Sequence, residues 1–244
     1  MREYFLEAET PFHIYNRGTE KRVIFTDYAE YCRFIFLMWV CRIGKPKINL
    51  SKNETIQAAE AILRGKEPNS GLYIKEYFPL IAFITWNLLP NHFHFVLLSL
   101  IEGGISKYMK KIGDAYTKYF NFRHQREGRL FQGPYQSIEI KNPKYFYRLI
   151  KYINLNQIEL IEPQWKERRI QNWDKTKKFL DSHQWSAHQD FIGRRHSLLV
   201  DRRLVSKLFG ESFTEQGLDN YKQFIEKWLV EDFEFIKKYT LENK

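Results

Sequence analysis

Apolar and polar positions change period along the chain, and the order of those changes predicts the fold. "PFHIYNRG" alternates before a glycine, which predicts a first strand and a turn. "DYAEYCRFIFLMWVCRI", residues 27 to 43, is apolar on most faces, as a largely buried helix is. The polar, Gly- and Pro-punctuated "GKPKINLSKNETIQAAEAILRGKEPNSG" holds a short helical pattern at "ETIQAAEAILRG" and is expected as an insertion over 44–76 outside the core. "YFPLIAFITWNLL" and "HFHFVLLSL" predict two strands joined around Pro90 and Asn91. "ISKYMKKIGDAYTKYFNFRHQ", residues 105 to 125, predicts a long helix with Lys107, Lys110, Lys111 and Lys118 on its polar side. "PYQSIEIK" is a fourth strand, and "NPKYFYRLIKYINLNQIEL" a further helix with Asn142 as N-cap and Pro143 at its first position.

The order β-α-β-β-α-β predicts an α+β, ferredoxin-like core with one helix appended, over residues 1–162. Residues 163–244 turn polar and tryptophan-bearing, then helical through "LVSKLFG" and "NYKQFIEKWLVEDFEFIKKY", and are expected as a helical extension. Many unrelated activities share such a core, so function has to be read from a site.

Composition narrows the partner. The chain of 244 residues is 43% hydrophobic, enough for one sizeable core. No apolar run is long enough to cross a bilayer and the N-terminus lacks the apolar centre of a signal peptide, so a cytoplasmic protein is expected, nucleoid-associated when bound to DNA. Cys32 and Cys41 fall on opposite faces of one expected helix without CxxC spacing, and are read as reduced and structural. The 39 Lys+Arg against 29 Asp+Glu give +10, and 17% of residues are aromatic. Cations release counterions from a polyanion and aromatic faces stack on unpaired bases, which points to single-stranded nucleic acid. A solvated basic surface over an aromatic core is also compatible. A membrane-surface role lacks the strongly basic amphipathic helix it needs.

Candidate chemistry begins in "NLLPNHFHFVLLS". In a strand His92 and His94 share a face while Phe93 and Phe95 point the other way, so two imidazoles can meet one metal ion or can be half-buried and satisfied by neighbours. In the last core helix, setting Phe146, Leu149, Ile150 and Ile153 inward leaves Arg148, Tyr152, Asn156 and Glu159 on a flanking stripe. Should that flank face the histidine strand, an amide oxygen joins the two imidazoles, with a phenol one turn away. Taken alone, a tyrosine at that position is also compatible with plain packing.

The combination of "PNHFHFVLL", "YINLN", "HIYNRG" and "GRLFQGPYQS" resembles the single-tyrosine HUH transposases, which comprise the single-strand transposases of insertion sequences and the REP-associated tyrosine transposases. The likeness covers roughly residues 10 to 160, and "QWSAHQDFIG" and "LVSKLFG" resemble the C-terminal region of the palindrome-associated branch. It implies His92 and His94 as metal ligands, Asn156 as the third and Tyr152 as nucleophile. Two positions depart from the family. Gln157 stands where relatives often carry proline and offers a competing amide; Pro134 replaces a commonly basic residue and removes an expected DNA contact.

The implied activity is cleavage and rejoining of single-stranded DNA near hairpins through a 5′-phosphotyrosine. The implied cofactor is a divalent metal, Mg²⁺ or Mn²⁺, with zinc a further option. The implied partner is single-stranded DNA with hairpin (palindromic) elements, bound by a monomer or a homodimer. Arg17, Lys110, Lys111, Lys118, Arg129 and Arg148 are candidate nucleic-acid contacts. Competing readings are a replication initiator or relaxase with the same chemistry, a non-catalytic single-stranded nucleic-acid-binding module, and a metal-dependent hydrolase of a small molecule.

Overall fold

A computed structural model describes residues 10–43, 51–68, 79–167 and 169–209. The helical pattern expected at "NYKQFIEKWLVEDFEFIKKY" and most of the polar stretch around residues 44–50 and 69–76 lie outside the described residues.

The core is a four-stranded sheet with seven helices among the described residues. Strands β1 (Phe12–Arg17), β2 (Ile81–Leu89), β3 (His92–Ser99) and β4 (Gln136–Glu139) lie in the order β2-β3-β1-β4, with every neighbouring pair antiparallel. Helix α1 (Tyr28–Cys41) connects β1 to β2 and α3 (Gly104–Arg123) connects β3 to β4, so each crossover skips one strand. The α+β class follows the order of periods in the chain.

Local chemistry sets the boundaries. The Asp27 side chain accepts from the Glu30 amide to open α1. Asn142 caps α4 (Pro143–Leu155), accepting from the amides of Lys144 at 2.8 Å and Tyr145 at 3.3 Å, with Pro143 at the first position. Pro90 and Asn91 form the two-residue β2–β3 connection, and their carbonyls accept from Ile24, Phe25 and Gly18. Helix α2 (Lys52–Leu63) opens on a reciprocal Ser51/Glu54 capping box and packs on α1, burying Ala58, Ala59, Ile62 and Leu63. This helix is therefore part of the core, where its polar surroundings in sequence predict an element outside it.

The two faces of the sheet differ. Phe93 and Phe95 meet Phe34 of α1, and α1 and α3 cover that face. Helix α4 covers the other against β2 and β3. Cys32 and Cys41 are both buried and free, and burial pushes their thiols up to about 12 and about 11.

After α4 come a 3-10 turn at Asn156–Leu160, another at Trp165–Glu167, α5 (Trp173–Ser182), α6 (His188–Phe191) and α7 (Arg202–Phe209). The buried Glu162 carboxylate accepts from the amides of Gln171 and Asn172. Residues 185–201 run along β2: Leu88 N donates to Trp185 O, Ala187 N to Trp86 O and Asp201 N to Phe83 O, at 2.8 to 2.9 Å. No helix among the described residues is long and apolar enough to cross a membrane.

Candidate functional site

β3 places His92 and His94 on the α4 face, as period two requires. Their ring centres are 5.1 Å apart and nearly perpendicular. With metal–nitrogen bonds of about 2.1 Å, two imidazoles on one ion have centres roughly 4.5–5.5 Å apart. Each ring is engaged through Nδ1. His92 Nδ1 lies 2.6 Å from Asn91 Oδ1, and His94 Nδ1 lies 3.0 Å from Nε2 of the buried His13. His94 Nε2 is buried without a hydrogen-bond partner.

All three imidazoles are held neutral, the form that ligates metal. Burial lowers His13 to about 3. Burial, helped by the positive charges of Lys166 and Arg17, lowers His92 to about 3. His94 is lowered well below the usual range by burial, with His92, His13 and Lys166 adding to it.

From α4, Tyr152 presents its ring to the edge of His94 at 5.9 Å. The Trp165 ring stacks on it at 6.3 Å and Lys166 Nζ lies 5.6 Å from its ring centre, and Tyr152 is 1% exposed. Lys166 is itself held by Glu159 Oε2 at 2.7 Å.

The helix ends at Leu155, so Asn156 begins the 3-10 turn and not a further helical turn, yet it remains one turn beyond Tyr152. Asn156 is fully buried, and neither its Oδ1 nor its Nδ2 has a hydrogen-bond partner. Its neighbour Gln157 is committed: Oε1 accepts from Asn87 Nδ2 at 2.7 Å and Nε2 donates to Asn154 O at 2.7 Å. Asn87 sits opposite His94 in the β2–β3 register and also donates to Ile153 O at 2.6 Å, which fixes this end of α4 over the histidine strand. Of the two amides the sequence offers, Asn156 alone is uncommitted.

The donor set fits a divalent ion on chemistry: two neutral imidazoles and one uncommitted amide, each with a lone pair to give. No group of three or more His, Cys, Asp or Glu side chains arranged for a metal occurs among the described residues, and the amide is the further donor that the sequence offers beside the two imidazoles.

The expected DNA contacts separate into four places. Arg17 is directly opposite His92 across β1–β3, with its guanidinium on Gln132 Oε1. Arg148 is on α4, one turn before Tyr152, partly exposed. Lys110, Lys118 and Arg129 line a groove on the other side of the sheet, while Lys111 lies toward Cys41 of α1.

Two residues at the site escape sequence reasoning. His13 shares a face with Tyr15 and Arg17 by strict alternation in "PFHIYNRG", but only the β1–β3 register brings it to His94. Lys166 reaches Tyr152 from beyond the core helices, with no local signal.

No protein-family model matches the chain, and no curated protein matches it. Among solved structures it is similar to a REP-associated tyrosine transposase bound to a REP hairpin, at 14% identity and a TM-score of 0.45, over 80% of this chain and 85% of that one. A likeness at this level does not establish a shared activity.

Proposed function

We propose that the protein is a metal-dependent strand transferase that cleaves and rejoins single-stranded DNA near hairpins, with Tyr152 as nucleophile. The observation that carries this reading is the Asn156 amide, buried and wholly unpartnered one turn from Tyr152, whose ring meets His94, itself buried with Nε2 unpartnered. A buried amide left without hydrogen bonds costs about 1–3 kcal/mol, and a ligand that it meets offsets that cost.

His92, His94 and Asn156 would hold Mg²⁺ or Mn²⁺, which supplies Lewis-acid polarisation of the scissile phosphodiester. His13 orients His94. For Nε2 to present a lone pair, Nδ1 must carry the proton and donate to His13 Nε2, which the 3.0 Å contact allows. Tyr152 Oη attacks phosphorus, forming the O–P bond as the bond to the 3′-oxygen breaks. The phenolic proton is lost to solvent and the departing 3′-oxygen gains one, so the phosphotyrosine retains the ester for rejoining. A phenol with pKa about 10 needs nearby positive charge to react near neutrality, and Lys166, held over the ring by Glu159, supplies it. Because Tyr152 is covered by Trp165 and Lys166, that turn has to shift to admit the phosphate.

The test is incubation with a hairpin-bearing single-stranded oligonucleotide and Mn²⁺, followed by denaturing electrophoresis and peptide mapping. A covalent adduct at Tyr152, absent in Tyr152→Phe, is expected. An adduct of equal yield in Tyr152→Phe overturns the nucleophile. Unchanged Mn²⁺ affinity in His92→Ala and His94→Ala, with DNA binding intact and no adduct, leaves a non-catalytic binding module.

A further inference from the structure

A groove of about 770 Å³ lies between α3 and the loop before β4, a size that suits a small organic ligand. Phe93 and Asn16 line it, so it opens on the sheet face opposite His92 and His94. Its apolar wall includes Phe131, edge-on to Phe93 at 5.8 Å, and Tyr135, whose hydroxyl is 3.0 Å from Ser106 Oγ. Lys110, Lys118 and Arg129 stand exposed on its rim, and none of their side chains has an ion pair or hydrogen bond among the described residues. Asp114 is the one acidic residue lining it.

The glycine at position 113 is the second observation. It sits in the middle of α3, where glycine weakens a helix relative to alanine. A Cβ at this position would meet nothing within 4 Å, so no packing contact in the fold requires glycine there. Its effect is to keep that stretch of the groove wall bare.

Aromatic and apolar walls suit the face of a base, and unpaired cations on the rim suit phosphates. The same loop touches both faces: Gly133 O accepts from Asn16 Nδ2 at 3.0 Å on the groove face, and Gln132 takes the guanidinium of Arg17, which lies opposite His92 on the other. A strand seated in the groove is thereby led around the end of β1 toward Tyr152. We propose that the groove seats one unpaired nucleotide of the single-stranded DNA substrate, its base against Phe131 and Tyr135 and its flanking phosphates on Lys110, Lys118 and Arg129. The identity of the ligand as DNA rests on the strand-transfer reading; the groove's geometry does not.

The experiment is equilibrium binding of fluorescein-labelled oligo(dT), and of the same oligomer with abasic sites, to the full chain in EDTA. Gly113→Leu is expected to weaken oligo(dT) binding about tenfold with the salt dependence unchanged, and to leave abasic binding unaltered. Lys110→Ala, Lys118→Ala and Arg129→Ala should each reduce the salt slope by about 0.7. Wild-type affinity in Gly113→Leu overturns the proposal. So does equal wild-type affinity for the two oligomers, an arm that needs no variant to fold, and so does competition by polyglutamate as strong as by oligo(dT). If wild type forms no Tyr152 adduct while Gly113→Leu still weakens binding, the strand-transfer reading falls and the groove stands. If adduct forms equally in Gly113→Leu at subsaturating DNA, the groove alone falls.

Discussion

Two buried polar clusters lie on opposite sides of the sheet and are treated differently. In the α1–α3 layer the fully buried Glu30 has every acceptor used: Thr26 N at 2.6 Å, Thr26 Oγ1 at 2.8 Å, His124 Nε2 at 2.6 Å and the Arg123 guanidinium at 3.3 Å. Under α4, His94 Nε2 and both amide atoms of Asn156 have no partner. A chain that surrounds a buried carboxylate with four donors is capable of satisfying an amide too. The contrast separates a fully satisfied cluster from one that, on the proposed function, takes a ligand.

The largest effect should come from breaking the satisfied cluster. Glu30→Ala removes the shared acceptor of Arg123, His124 and Thr26 and is expected to cost about 3–5 kcal/mol, read as a fall in denaturant midpoint at unchanged slope. Next, Mn²⁺ at a hundred times its dissociation constant should stabilise wild type by about 2.7 kcal/mol, and His94→Ala should abolish that gain.

Acid should act on the open cluster. His13 is lowered to about 3 in the folded protein, against about 6.5 in the unfolded chain. The unfolded chain takes up the proton first, so this group's contribution is intact above about pH 6.5 and is lost as pH falls toward 3. At pH 5 the loss is about 2 kcal/mol, and His13→Gln should remove it from the difference between urea titrations at pH 8 and pH 5. The smallest effect is the most discriminating. Asn156→Leu removes unpaired polar atoms and should raise stability by about 1 kcal/mol while eliminating Mn²⁺ binding. Destabilisation with Mn²⁺ affinity retained would dissolve the contrast.

Strand and helix order was legible because it is written in local periods: the alternation at residues 11–18, the two-residue connection at Pro90 and Asn91, and the Asn142–Pro143 start of α4. The common face of His92 and His94 is legible for the same reason. The choice between Asn156 and Gln157 is not, since it depends on Asn87 arriving from β2 to occupy Gln157. His13 depends on register, and Lys166 on how the chain returns after residue 160. The core role of α2 was hidden because its apolar stripe is short and its flanks are polar, and only α1 reveals which face it buries.

The segment at residues 185–201 that runs along β2 has a consequence for self-association. An outer strand with free amides and carbonyls is a template on which another chain can add, and β2, all nine residues buried, would be the longest such template here. Trp185, Ala187 and Asp201 occupy its hydrogen-bonding groups, while the opposite border, β4, offers only four residues. Continuous sheet growth between copies is thus blocked at the apolar border and left only a short, polar one, a safeguard against aggregation for a protein whose outer strand β2 is mostly hydrophobic.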